Sequence, residues 1–263
     1  MHVACVSYLN AKPLIDGLAD DGIRVSLDVP SALIDRALSP DPPDLTLLPV
    51  ADLLDHADRL ELVPVGGIAC AGPTWTVRLY SRVPLGEIHA VHADTDSHTS
   101  VRLTRVILRA RLGRCPALVP FDAASGAAIP ADADAVLLIG DKVVTRPPER
   151  GAFPIEIDLG AAWHELTGLP FVFAAWAGRR DTDRPPTPER EALIACLAAR
   201  LDANLADLPR LVATHAAAHG WPAALAADYL GRVLRYRIGP AERRGIDRFA
   251  ELAAALPPAG PEV

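Results

Sequence analysis

The chain has 263 residues, half of them hydrophobic and 22% charged, with a formal net charge of −7. That length supplies one large or two modest domains with an ample core. The acidic balance, with no basic tract, argues against nucleic acid or an anionic membrane surface as the partner. No apolar run is long enough to span a bilayer. Met1-His2 leads straight into a strand-like run without a signal-peptide pattern, so a cytoplasmic protein is expected. Lysine occurs only at Lys12 and Lys142, and the remaining basic residues are arginine, which reads as composition bias. The four cysteines, Cys5, Cys70, Cys115 and Cys196, show no metal-ligand or redox spacing. Cys5 and Cys70 sit in apolar runs and read as small buried hydrophobes.

In chain order, VACVSY (3–8) predicts a buried strand and Lys12–Ala19 a helix. IRVSLDV (23–29) predicts a second strand, SALIDRAL (31–38) a helix with Ser31 as its N-cap, and DLTLLPV (44–50) a third strand. Strand–helix–strand alternation implies parallel pairing in an α/β sheet. LELVPVGGIACAG (60–72) and TWTVRLYS (74–81) alternate more and read as antiparallel or crossing strands. After Val83-Pro84 the pattern restarts: IHAVHAD (88–94) as a strand, then a helix through TSVRLTRVILRARL (99–112). On that helix Leu103, Val106, Ile107 and Ala110 share one face, while Arg102, Arg105 and Arg109 form a solvated stripe on another. ALVPF (117–121), ADAVLLIGD (133–141) and LPFVFAAWA (169–177) complete the strands. Thr187-Pro188-Glu189 is a helix start, with Leu193, Leu197, Leu201 and Leu205 recurring behind it. RRDTDRPP (179–186) reads as a linker and PPAGPEV (257–263) as a frayed tail.

A mid-chain restart followed by a return strand and C-terminal helices predicts two lobes with discontinuous connectivity. Residues 1–82 and 173–263 would form the first lobe and 83–172 the second, with crossings near 82–84 and 170–175. Two crossings make a hinge, and ligands bind in clefts that close by hinge motion.

Four turns can converge on such a cleft: Ser7-Tyr8-Leu9-Asn10, Gly72–Thr76, Asp94–Ser100 and Gly140-Asp141. Strand ends and helix starts are where open α/β sheets bind ligands. The turn at 94–100 gathers hydroxyls and free N–H groups at a helix N-terminus, which suits an anion and equally suits a well-capped helix. His98 and Asp141 are acid–base candidates that read more readily as a turn partner and a cap, and Trp163 either lines the cleft or seals the core. His2, His89 and His92 read as structural. No phosphate-loop, dinucleotide, nucleophile-elbow or zinc-protease motif is present. The residues alone give a two-lobed α/β binder of a small anion, with no cofactor or metal implied.

Six segments, in order over nearly the whole chain, resemble one family. They are VSYLNAKPL (6–14), DLTLLPVADL (44–53), GPTWTVRLYSRVPLGEI (72–88), DTDSHTSVRLTRVILR (94–109), ADAVLLIGDKVV (133–144) and DLGAAWHELTGLPFVFAAWAGR (158–179). The family is the chorismate dehydratases of the futalosine route to menaquinone. The resemblance implies a type II periplasmic-binding-protein fold and loss of water from chorismate to give 3-[(1-carboxyvinyl)oxy]benzoate. It implies catalytic roles for Ser7 and Asn10, with Tyr8, Thr76, Ser97, His98, Thr99, Ser100, Gly140, Asp141 and Trp163 around the substrate and neither metal nor cofactor. Aromatisation drives the reaction, so the enzyme mainly orients, desolvates and polarises. The substrate's enolpyruvyl carboxylate is then available as the proton acceptor. The chain departs from the family pattern at three positions. Thr76 replaces a common Ser, His98 stands where Arg is expected, and Asp96 where a small polar residue is common. Rival readings are the later dihydroxynaphthoate-releasing enzyme of the same route, a non-catalytic binder of a small carboxylate and a regulator's sensing half. The SYLN opening favours the dehydratase over the first.

Overall fold

The structure is a computed structural model, which describes residues 1–149, 151–180 and 187–258. The linker expected at 179–186 and the tail expected at 257–263 lie largely outside the described residues. The chain begins with β1 (His2–Val6), α1 (Lys12–Ile15), β2 (Arg24–Asp28), α2 (Leu33–Leu38), β3 (Leu45–Pro49), α3 (Val50–Asp55) and β4 (Leu60–Cys70). β5 (Val77–Ser81), β6 (Ala90–Asp94), α4 (His98–Leu112), β7 (Ala117–Phe121), β8 (Ala135–Ile139), α5 (Lys142–Thr145), β9 (Ile155–Asp158) and α6 (Leu159–Thr167) follow. β10 (Phe171–Arg179), α7 (Pro188–Ala206), α8 (Leu208–His215), α9 (Ala223–Asp228), β11 (Leu234–Arg235) and α10 (Pro240–Ala254) complete the order.

The strands form two sheets, β11-β4-β10-β3-β1-β2 and β7-β6-β8-β5-β9. The parallel pairs β1–β2, β1–β3, β6–β7 and β6–β8 come from the strand–helix–strand runs, and helices supply the crossovers such pairs require. β10 runs antiparallel to both β3 and β4, and β5 antiparallel to both β8 and β9. β5 therefore belongs to the second sheet, and the outward crossing falls at 71–76 rather than 82–84. β10 starts at Phe171, so the return falls at 168–170.

The N-terminal helix is shorter than its sequence pattern, ending at Ile15 where Asp16 turns extended. Ser31 is not an N-cap: it sits in a 3₁₀ turn, and its backbone N–H instead donates to the Asp96 carbonyl at 2.9 Å, joining the two halves. The α7 start matches its signals, since the Thr187 hydroxyl accepts from Arg190 N–H with Pro188 in the first turn. Leu193, Leu197 and Leu201 bury the face beneath it.

One apolar cluster crosses between the sheets. It joins Ala69, Cys70, Phe171 and Val172 of the first sheet to Val77, Leu79, Leu137 and Ile139 of the second, with Trp163 and Phe249 in its middle. Burying so many aliphatic and aromatic side chains at the crossing, at roughly 1.5–3 kcal/mol each, sets the sheets' relative position and with it the cleft.

Candidate active site

The cleft holds a pocket of about 480 Å³, part of it open to solvent. Its polar lining is Tyr8, Asn10, Thr74, Thr76, Ser97 and Ser100; Val6, Pro49, Ile68, Ile139 and Phe173 are among its apolar walls. Three of the four expected turns thus meet there with polar side chains, and the fourth contributes Gly140. Among the described residues, no lysine or arginine lines it.

The α4 N-terminus forms one end of the pocket. Ser97 caps the helix, its hydroxyl accepting from Ser100 N–H at 3.2 Å and donating to the Ser100 hydroxyl at 2.9 Å. A helix N-terminus of this kind, four turns long, attracts negative charge.

Tyr8 forms one wall. Its phenol donates to Asp96 Oδ2 at 2.9 Å, and Lys142 Nζ donates to the same Asp96 oxygen and to Asp94 Oδ1 at 3.0 Å. Asp94 is fully buried and also accepts from Ile139 N–H at 3.1 Å and Asp96 N–H at 3.2 Å. Burial pushes the Asp94 carboxyl up from its ordinary value, with Lys142 opposing. Burial and the neighbouring Asp96 raise the Tyr8 phenol, so it acts as a donor and not as a base. The Tyr8 ring lies flat against Gly140, whose φ of +72° and missing side chain make the approach possible; a Cβ there would sit 2.8 Å from the ring.

Asn10 and Thr76 form the opposite wall, joined through Tyr229. Tyr229 Oη lies 2.7 Å from Thr76 Oγ1, and Asn10 Nδ2 donates to it at 3.4 Å. The Asn10 carbonyl oxygen is buried without a partner. Trp75, between Thr74 and Thr76, has φ +67°, an uncommon left-handed conformation for a bulky residue. Its N–H and that of Thr74 are held by the Asp158 carboxylate at 2.7 and 2.9 Å.

Five of the residues expected at the substrate are elsewhere. Ser7 is not among the lining residues: side chains alternate along the strand end, so Val6 and Tyr8 face the pocket and Ser7 lies between them, its backbone bonded to Asp28. His98 turns away to Asp52 Oδ1 at 2.7 Å, and Thr99 accepts from Ala51 N–H at 3.0 Å, because neighbouring residues in a helix's first turn point in different directions. Asp141 is fully engaged as a clamp, accepting from Leu9 N–H at 3.1 Å, His219 Nδ1 at 2.9 Å and Trp221 Nε1 at 2.9 Å. Trp163 is fully buried, bonded to the Pro170 carbonyl at 3.1 Å among Phe171 and Phe249, so it seals the core.

Sequence reasoning missed Lys142, Tyr229 and Asp158. Lys142 carried one signal, a lysine after a strand-end Gly-Asp in a chain whose only other lysine is Lys12. Tyr229 carried none, since its partner Asn10 is 219 positions away. His2 bonds Ser26, consistent with its structural reading. Within α4's arginine stripe, Arg102 pairs with Asp55, and Arg105 bonds the Pro257 carbonyl. Among the described residues, no cluster of three or more metal-ligating side chains occurs, and no helix is long and apolar enough to cross a membrane.

Two mixed sheets joined by two crossings around a cleft with a neutral polar lining define a periplasmic-binding-protein-like fold. Solved structures agree. Protein AF1704 from Archaeoglobus fulgidus aligns over 97% of this chain and 96% of its own at TM-score 0.74 and 14% identity. The periplasmic aliphatic sulphonate binding protein SsuA from Escherichia coli aligns over 98% and 89% at TM-score 0.60 and 15% identity. A family model described as menaquinone biosynthesis matches residues 1–255. A chorismate dehydratase from Thermus thermophilus is 31% identical over 264 aligned positions, 95% of this chain and 93% of that protein. The chain belongs to the menaquinone biosynthesis family.

Proposed function

We propose that the protein is a carbon–oxygen lyase that dehydrates chorismate to 3-[(1-carboxyvinyl)oxy]benzoate for menaquinone made through futalosine. The observation that carries this reading is the meeting of Tyr8, Asn10, Thr76, Ser97 and Ser100 in one pocket of a chain 31% identical to a chorismate dehydratase over 95% of its length.

Chorismate carries two carboxylates and a ring hydroxyl. Ser97, Ser100 and the α4 N-terminus suit a carboxylate, supplying hydroxyls and a helix end in place of a cationic side chain. The Asn10 amide suits the leaving hydroxyl. The reaction breaks the C–H bond at the ether-bearing carbon, and its electron pair joins the new aromatic ring. The neighbouring C–O bond breaks, and the departing oxygen leaves as water with the released proton. Oxidation level is unchanged, so the chemistry asks for orientation and polarisation. Neither Tyr8 nor Tyr229 suits the role of base, because burial raises both phenols. The enolpyruvyl carboxylate of the substrate takes the proton in this reading. The two sheets act as lobes, 1–71 with 171–180 and 187–258, and 77–149 with 151–167, closing over the ligand. As an enzyme and not a transport receptor, the protein is assigned to the cytoplasm.

The test is purified protein mixed with chorismate, followed by chromatography and mass spectrometry for the loss of one water. Turnover by the wild type, with a fall of roughly 100-fold or more for Asn10→Ala, supports the reading. Chorismate binding without turnover would leave a non-catalytic binder in its place.

A further inference from the structure

Tyr229 lies outside every segment that carries the family resemblance, yet it touches both polar side chains of one pocket wall. It opens a π-helical turn, Tyr229–Val233, between α9 and β11. Single π turns inside helical segments concentrate at functional sites. The ring is buried and sandwiched, stacked on Trp221 at 4.6 Å between centroids and 17° between planes, and facing Trp75 at 6.3 Å and 15°. Trp221 is itself fixed by Asp141, the clamp that also holds the Leu9 N–H of the first turn. The phenol is thus positioned from two sides before any ligand arrives.

The direction of the hydrogen bonds follows from the inventory of donors. Asn10 Nδ2–H donates to Tyr229 Oη, so the phenol proton is left to donate to Thr76 Oγ1. The Thr76 hydroxyl in turn points its own proton to the Thr74 carbonyl at 3.5 Å. The phenol and the Thr76 hydroxyl thus spend their protons away from the pocket, as does one of the two Asn10 amide N–H groups. Among the acceptors, the buried carbonyl oxygen of Asn10 has no partner. An unsatisfied buried acceptor beside a pocket calls for a ligand donor. Of the groups on the proposed substrate, only the ring hydroxyl donates.

We propose that Tyr229 is a positioning residue for the dehydration, holding the Asn10 amide so that its carbonyl accepts from the substrate hydroxyl and fixes it with an oxygen lone pair free to take the released proton as water leaves. The inference rests on the dehydratase reading and adds a residue and a bond direction to it. Tyr229 does not touch the substrate; it acts through Asn10 and Thr76.

Tyr229→Phe keeps the stacked ring and removes only the oxygen. The expected result is a kcat lower by roughly 10- to 100-fold, the cost of a slightly misplaced group at the reacting bond, with KM changed by less than about threefold. Thr76→Val breaks the same chain one link further and is expected to lower kcat in the same way. A double-mutant cycle separates positioning from structure. In an Asn10→Ala background, Tyr229→Phe should lower kcat little further, because the group it orients is gone. An equal loss in both backgrounds, or full activity of Tyr229→Phe, overturns the inference while wild-type turnover still upholds the dehydratase reading. Absence of wild-type turnover overturns that reading and this inference with it. Thermal midpoints of the variants accompany the assay, and Thr76→Val gives the kinetic answer should Tyr229→Phe fold poorly.

Discussion

The two side walls of the pocket hold residues from the same short turn by different means. Asn10 is aimed by a neutral chain of an amide, a phenol and a hydroxyl, whereas Tyr8 is aimed by a buried ionic cluster of Asp94, Asp96 and Lys142. Neutral hydrogen bonds each contribute about 1 kcal/mol net, so the first wall can lose a member and stay folded. Buried ions bind the second wall to the fold, since removing one partner strands the others. The difference separates the two roles under the proposed function: the neutral wall would set the direction of a bond to the substrate, and the ionic wall sets a shape. Breaking the first should show in kcat, breaking the second in stability.

The ionic wall also gives Asp96, which the resemblance marks as unusual, a structural place. Its carboxyl is paired with the Lys142 ammonium and with the Tyr8 phenol, so it faces the protein's interior polar groups and not the open pocket.

The sharpest way to break the comparison is Lys142→Met, which leaves Asp94 and Asp96 buried without a cation. The expected loss is about 3–5 kcal/mol at neutral pH, read by denaturant unfolding. Its pH dependence has a definite sign. Asp94 in the folded protein already titrates above its ordinary 3.8 because of burial. Removing Lys142 takes away the opposing influence and moves it further up. A carboxyl with a raised folded pKa favours the fold below the unfolded value and loses that contribution as pH rises through the folded one. The variant should therefore gain stability as pH falls toward 4. A neutral-pH loss under about 1 kcal/mol would show that the cluster is not a linked ionic unit.

Gly140→Ala ranks next. It places a Cβ against the Tyr8 ring at a φ of +72°, so strain and steric displacement act together. A loss of about 1–3 kcal/mol is expected from the backbone conformation and the crowding, with a rise in KM as Tyr8 shifts. Stability unchanged at wild-type KM would mean that the ring has room to move.

The two walls also differ in how far the sequence revealed them. The strand–helix alternation gave both sheets and most strands, because hydrophobic period is a local property. It misplaced β5, since an antiparallel strand next to the crossing looks the same from either side. Tyr8, Asn10, Thr76, Ser97 and Ser100 were legible as turn residues at strand ends and helix starts, and the pocket contains all of them. Ser7, His98 and Thr99 share those turns but face elsewhere, because facing depends on one-residue steps that composition does not resolve. Asp141 and Trp163 were legible as unusual residues, and their roles as clamp and core seal depend on partners distant in the chain: Leu9, His219 and Trp221 for one, Phe249 for the other. Tyr229 was invisible, and Lys142 carried only the signal of its residue type, for the same reason: their importance is in tertiary partners.

A third contact, between α3 and α4, sharpens the contrast by being ionic but only half buried, with Asp52 buried and His98 partly open to solvent. His98 on α4 bonds Asp52 on α3, with Arg102 and Asp55 beside it, and its side chain is about half exposed. The hydrogen bond to Asp52 is the main reason the imidazole titrates above its ordinary 6.5, and burial opposes it. A raised folded pKa gives a contribution fully present below 6.5 and lost as pH rises through the folded value. Exposure and solvent screening hold that contribution to under about 1 kcal/mol. Wild-type stability should therefore fall slightly between pH 6 and the alkaline side of the folded value, and His98→Gln should remove that slope while leaving kcat near wild type. Denaturant midpoints at a series of pH values measure it. Parallel curves for the two proteins would show that the pair contributes nothing. A large loss of kcat would return His98 to the active site and break the division between walls that shape the pocket and walls that touch the substrate.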